Sequence, residues 1–237
     1  MKTLRYFTPT EWFLWLFSIC AIIATAFYFG DQEPLALIAS LIGATSLIFS
    51  AKGNPIGQGL IIIFSVIYAY LAFHNHYYGE LITYCFLTIP MALFSLLSWL
   101  SHPFQEQKTQ VLINYLKFKD IYLLIVSTIA ITCIFYYFLS LFHTPFLAIS
   151  TLSISTAFAG TFLSYKRSPM FALAYLMNDI ILMTLWLMEA QTKVSHYAIV
   201  ICFAIFLIND IYTVYNWRKI YHSQVIAIKT AENLFNI

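Results

Sequence analysis

The chain has 237 residues, of which 61% are hydrophobic and only 9% charged, and its mean hydropathy is +0.80. A water-soluble domain carries about a quarter charged residues because its surface must stay wet. A soluble enzyme, a disordered protein and a nucleic-acid binder are therefore excluded, and the formal net charge of +2 points to no electrostatic partner.

Eight apolar stretches run along the chain, each near the length of about 20 residues that an α-helix needs to cross a bilayer. In chain order they are 12–30, 35–51, 56–73, 80–100, 120–142, 146–164, 170–189 and 195–217. The breaks between them are short and marked by charge, Pro or Gly, as in Lys52-Gly-Asn-Pro55, His143-Thr-Pro145 and Lys166-Arg-Ser-Pro169. Only 101–119 is long enough to be a true loop, and 218–237 reads as a weakly specified interfacial helix. Lys2 and Arg5 precede the first stretch with no small-residue cleavage site after it, which predicts an anchored first helix rather than a removed signal. Residues 1–237 thus read as one integral membrane domain in the lipid bilayer.

Basic residues set the orientation, since short cytoplasmic loops collect Lys and Arg. With both termini inside, eleven of the twelve Lys and Arg face the cytoplasm and only Lys193 lies outside. That bias requires an even number of crossings. Asp31, Glu33, Glu80 and Glu189 then face the exterior.

A repeat is legible as well. Ser50-Ala-Lys-Gly-Asn-Pro55 and Ser164-Tyr-Lys-Arg-Ser-Pro169 share S-x-K-x-x-P at an offset of 114 residues. Each has one span before it and two after it, ending at Trp99 and at Trp217. The chain parses as an extra helix (12–30), a first triplet (35–100), a linker helix (120–142) and a second triplet (146–217). An odd linker between triplets leaves both in the same orientation, the parallel arrangement whose halves rock about a site near the midplane.

Ionisable groups inside a membrane are costly and are functional candidates by default. Asn178-Asp179 lies mid-span in the seventh stretch and Asn209-Asp210 in the eighth. Asp179, Met183 and Trp186 share a helix face, as do Asn209, Tyr212 and Asn216, with Tyr215 beside them. Carboxylates, amides and rings together suit a flat, polar, cationic aromatic ligand. Two of these residues have a second reading: Asp210 as an interhelical hydrogen-bonding group, and Trp186 as an outer-belt aromatic. Thr45, Ser46, Ser65, Tyr68 and Tyr84 are polar-capable positions of the first triplet, where Ser and Thr also serve as interhelical glue.

Several chemistries are absent. Cys20, Cys85, Cys133 and Cys202 lie singly in apolar stretches, with no CxxC spacing for a disulfide or zinc framework. His74, His76 and Glu80 have a metal-compatible spacing but read as a solvated turn. No GxxxxGK[ST], HExxH or GxSxG occurs, so no nucleotide hydrolysis, enzyme activity, cofactor or metal is expected, and transport is the remaining function.

The stretches Ser50 to Pro55, Tyr78-Gly-Glu80, Pro90 through Trp99 and Asn209-Asp-Ile-Tyr-Thr-Val-Tyr-Asn-Trp217 resemble the PnuC family of bacterial vitamin transporters. The resemblance covers roughly residues 35–217. It implies an all-α fold of eight transmembrane helices, with two parallel three-helix repeats joined by a linker helix, as in SWEET transporters, plus an extra N-terminal helix and a possible homotrimer. It also implies uptake of an unphosphorylated vitamin, most often nicotinamide riboside, across the inner membrane by facilitated diffusion, with a cytoplasmic kinase trapping the product. Asp179, Trp186, Asn209, Tyr212, Tyr215, Asn216 and Trp217 fall on the family pattern. The pattern's glutamines in the fourth and sixth spans are replaced here by Met91-Ala92 and Gly160. Thiamine is the alternative substrate. A proton-coupled symporter and a non-transporting membrane subunit or sensor are the alternatives from other classes.

Overall fold

The computed structural model describes residues 6–29, 33–74, 76–105, 107–191 and 196–235. Lys2, Arg5, Asp31 and Lys193, used above to orient the chain, lie outside the described residues. Eight helical segments long and apolar enough to cross a membrane are present among them. The helices are α1 (Pro9–Phe29), α2 (Pro34–Ala51), α3 (Ile56–His74), α4 (Tyr78–Thr83), α5 (Ile89–Ser101), α6 (Phe118–Leu141), α7 (Leu147–Tyr165), α8 (Phe171–Glu189) and α9 (Tyr197–Phe235).

The fourth crossing is composite, because a π-helical turn over Tyr84–Thr88 joins α4 to α5. Pro90 stands at the start of α5. Its ring has no N–H and clashes with the carbonyl four residues back, and a wide π turn absorbs that defect.

Two expectations are corrected. The segment after 217 is not a separate interfacial helix, since α9 runs unbroken for 39 residues to Phe235. At 1.5 Å per residue that is roughly 58 Å, well beyond a hydrocarbon core of roughly 30 Å, so its last turns stand clear of the bilayer. The 101–119 loop contains a small antiparallel ribbon, β1 (Pro103–Phe104) with β2 (Gln107–Val111).

The bundle is apolar outside and polar inside, as lipid requires. Tyr122, Ile129 and Tyr137 of α6 are exposed, while Ser46, Ser65, Ser95, Asn178, Asp179, Asn209 and Asp210 are buried. Helix α2 packs on α3 and α9, and α7 packs on α8 and α5.

Both S-x-K-x-x-P segments form the same helix terminus. After α2, Gly53 (φ 67°) donates to Ser50 O at 2.9 Å and Asn54 N to Phe49 O at 3.0 Å. After α7, Arg167 (φ 58°) donates to Ser164 O at 2.8 Å and Ser168 N to Leu163 O at 3.0 Å. These are Schellman caps closed by the following proline. Glycine takes the left-handed position freely, whereas Arg167 bears a cost of roughly 1–2 kcal/mol there.

Between the two caps lies a dense core of Trp99, Val111, Ile113, Leu163, Phe171, Ala172, Trp217 and Ile220. The indole of Trp99 donates to Ser164 O at 2.8 Å, and that of Trp217 to Ser50 O at 2.9 Å. The strand and its continuation tie both caps, Val111 N to Gly53 O at 2.9 Å and Asn114 N to Arg167 O at 3.0 Å. Gln224, on the extension of α9, pairs with this strap through Ile113 N and Val111 O, both at 3.0 Å.

Candidate functional site

Above that core, α8 and α9 bring two acidic dipeptides into the interior. Asp179 is 5% exposed and Asp210 3% exposed. The two carboxylates act on each other electrostatically, and both act on the Tyr175 hydroxyl. Asp179 Oδ2 has no hydrogen-bond partner. Among the described residues the ion pairs are Lys52–Glu11 at 3.0 Å and Lys166–Asp120 at 2.8 Å, so neither interior carboxylate is neutralised by a basic side chain.

The neighbouring amides are partly used within the bundle. Asn178 Oδ1 accepts from Thr156 of α7 at 2.9 Å. Asn209 donates to Ser18 of α1 at 2.9 Å and to Ile205 O at 2.8 Å, while its Oδ1 is buried without a partner. These bonds fix α8 against α7 and α9 against α1, and so fix where the two carboxylates sit.

The other sequence-selected residues lie elsewhere. Trp186 is half-buried toward the far end of α8, with its ring edge-on to His196 at 5.3 Å. Tyr212 donates to Glu11 at 2.9 Å and Asn216 to Ala51 O at 2.8 Å, both at the end of the bundle that holds the caps. Tyr215 is 66% exposed on the outer surface. The structure thus brings Asp179 and Asp210 within electrostatic reach of each other, turns Asn178 to α7 and Asn209 to α1, and gives Tyr212 and Asn216 partners in the helix framework.

Sequence reasoning missed Glu11, the meeting of Tyr68 with Tyr84 (two positions it had named only as polar-capable) and Tyr175. Glu11 is 1% exposed and forms a capping box with Thr8, accepting from Thr8 N at 2.7 Å while Glu11 N donates to Thr8 Oγ1 at 3.3 Å. The Thr-x-x-Glu spacing ahead of an apolar run was the available signal. An aromatic cluster of Phe64, Tyr68 and Tyr84 has ring centroids 4.7–6.3 Å apart, and the Tyr68 hydroxyl sits 3.2 Å from Ser40 Oγ. Tyr84 opens the π turn, and sequence spacing gave no sign that its ring meets Phe64 and Tyr68. Tyr175 is the third.

At the cap end, the Tyr6 hydroxyl accepts from Asn54 at 2.9 Å. Burial pushes that phenol above its usual range against the lowering effect of the Asn54 hydrogen bond. Burial likewise pulls the Arg167 guanidinium below its usual value, and its Nε and Nη1 are buried without partners.

An all-helical bundle of eight apolar crossings, with unneutralised carboxylates and rings in its interior, has the make-up of a multi-pass membrane transporter. The family model described as "Nicotinamide mononucleotide transporter" matches residues 33–219, and the chain belongs to that family. It is 20% identical over 212 residues to the nicotinamide riboside transporter PnuC of Neisseria mucosa, covering 87% of this chain and 80% of that one. The crystal structure described as the vitamin B3 transporter PnuC superposes with a TM-score of 0.74 at 18% identity, covering 92% of this chain and 94% of the other. That likeness establishes the fold. Family and solved neighbour are transporters, not enzymes.

Proposed function

We propose that this protein takes up nicotinamide riboside across the bacterial inner membrane by facilitated diffusion, with both termini in the cytoplasm and a cytoplasmic kinase trapping the product. The observation that carries the reading is the Asp179–Asp210 pair, buried with Asp179 Oδ2 unpartnered and without a basic neighbour. A carboxylate that ionises in this position calls for a cationic ligand, because an uncompensated charge in low dielectric is costly. The riboside supplies a fixed positive ring for the carboxylates and hydroxyls for an amide oxygen left without a partner, Asn209 Oδ1. Trp186 offers a ring on the same helix. Tyr212 and Asn216 act in this reading by holding α9, and Tyr215 faces lipid or a neighbouring subunit of a homotrimer.

The mechanism is rocking of two parallel triplets, 35–100 and 146–217, about this site. In favour of that arrangement, the two Schellman caps repeat each other bond for bond, and Trp99 and Trp217 exchange hydrogen bonds between them.

The test is calorimetric binding of purified protein to nicotinamide riboside, with thiamine and riboflavin titrated in parallel. Saturable binding of the riboside, weakened in Asp179→Asn and Trp186→Ala, is expected. Binding of thiamine alone reassigns the substrate on the same scaffold. In kinase-free vesicles, uptake should stop at equal concentrations inside and out, and uncoupler-sensitive accumulation would mark a proton-coupled symporter instead.

A further inference from the structure

Gly160 lies buried in α7 where α8 crosses it, and a Cβ built there would stand 2.9 Å from both Cδ1 and Cε1 of Tyr175. Real Cβ atoms do not approach a ring so closely, so the Tyr175 ring occupies space that only glycine leaves open. That ring is partly buried and packs on Phe171 at 6.0 Å, edge-on, and Phe171 in turn packs on Trp217 at 4.6 Å and Trp99 at 6.2 Å. Asp179 follows Tyr175 by one helical turn on the same face of α8. The hydroxyl is within electrostatic reach of both Asp179 and Asp210. Tyr175 therefore joins the tryptophan core, against which its ring packs, to the carboxylate pair one helical turn along α8.

We propose that Tyr175, seated by Gly160, is a substrate-contacting and specificity-determining residue, whose ring meets the positively charged ring of the substrate beside Asp179 and Asp210. The proposal rests on the carboxylate site being the substrate site. Ring charge is what such a group reads, since a tyrosine face attracts a cation and the carboxylates compensate it. A neutral ring of the same shape gains neither term.

The discriminating probe is a pair of ligands, nicotinamide riboside and its dihydro form, in which an added hydride removes the positive charge and the aromaticity of the ring while the ribose and amide stay the same. Both are titrated against the unaltered protein, Gly160→Ala, Tyr175→Leu and Tyr175→Phe in detergent. The unaltered protein should prefer the oxidised riboside. Gly160→Ala, which displaces the ring, and Tyr175→Leu, which removes it, should each cut that preference by roughly fivefold, and Tyr175→Phe should retain most of it. A merely structural role would weaken both ligands alike and leave the ratio unchanged, and that result, in whichever of the two variants folds, overturns the proposal. Failure of the unaltered protein to bind either riboside would instead overturn the substrate assignment on which it stands.

Discussion

Trp99 and Trp217 meet with ring centroids 5.4 Å apart, each fully buried, and each donates its indole N–H to the serine carbonyl that ends the helix of the other's counterpart segment. Trp99, closing the first triplet, bonds Ser164, and Trp217, closing the second, bonds Ser50. The exchange welds the two caps into one unit at the basic end of the bundle, with the Val111–Asn114 strap tied across both.

Trp99→Phe and Trp217→Phe should each lower stability by about 0.5–1.5 kcal/mol, since each removes one hydrogen bond from a serine carbonyl that keeps its cap amide, Arg167 N or Gly53 N, as a second donor. The two losses should be similar and should not add, because the rings share one contact. Thermal unfolding in detergent, followed by size-exclusion chromatography, measures this. A silent variant at either position would show that the exchange has no energetic weight.

Glu11 ties three elements, through the Lys52 ion pair at 3.0 Å, the Tyr212 hydroxyl at 2.9 Å and its own cap to Thr8. Lys52→Met should strand the buried Glu11 charge and destabilise by roughly 3–5 kcal/mol. The double variant Lys52→Met with Glu11→Gln should recover part of that loss. Additive losses in the double-mutant cycle would contradict the coupling.

Asp179→Asn and Asp210→Asn preserve side-chain shape and each removes a group that can ionise against a cationic ligand. Riboside affinity should fall roughly thirtyfold or more in each if a charge pair with the ligand is broken, while the melting temperature holds or rises as a buried ionisable group is lost. Thr156→Val, which removes the donor to Asn178, should act on stability far more than on affinity. Unchanged affinity in both Asp variants would move the substrate elsewhere.

Topology has its own check. Gln110→Cys, in the strap at the basic end, should react with a membrane-impermeant maleimide only after permeabilisation, and Gln32→Cys should react in intact cells. The opposite pattern would invert the orientation derived from the Lys and Arg positions.

Composition and run length alone determined the class and the number of crossings, because a bilayer admits only segments that satisfy their own backbone and are long enough to span. Seven of the eight segment limits moved by three residues or fewer on folding, since Pro, Gly and charge mark each break chemically. The eighth, α9, overran its expected end at 217 because Gln224 and Ile220 find partners on the strap, which no local pattern announces. The paired ND dipeptides were visible as buried ionisable groups, but their meeting depended on how α8 packs on α9. Tyr212 and Asn216, which share a helix face with Asn209, were taken up by Glu11 and Ala51 once α1 and α2 docked. Tyr175 and the meeting of Tyr84 with Phe64 and Tyr68 emerged only in three dimensions, the first through the close approach at Gly160 and the second through the packing of α3 on the fourth crossing. Periodicity reports which face of a helix is polar; which polar group is spent on a neighbouring helix, and which is left for a ligand, is decided by the packing between helices.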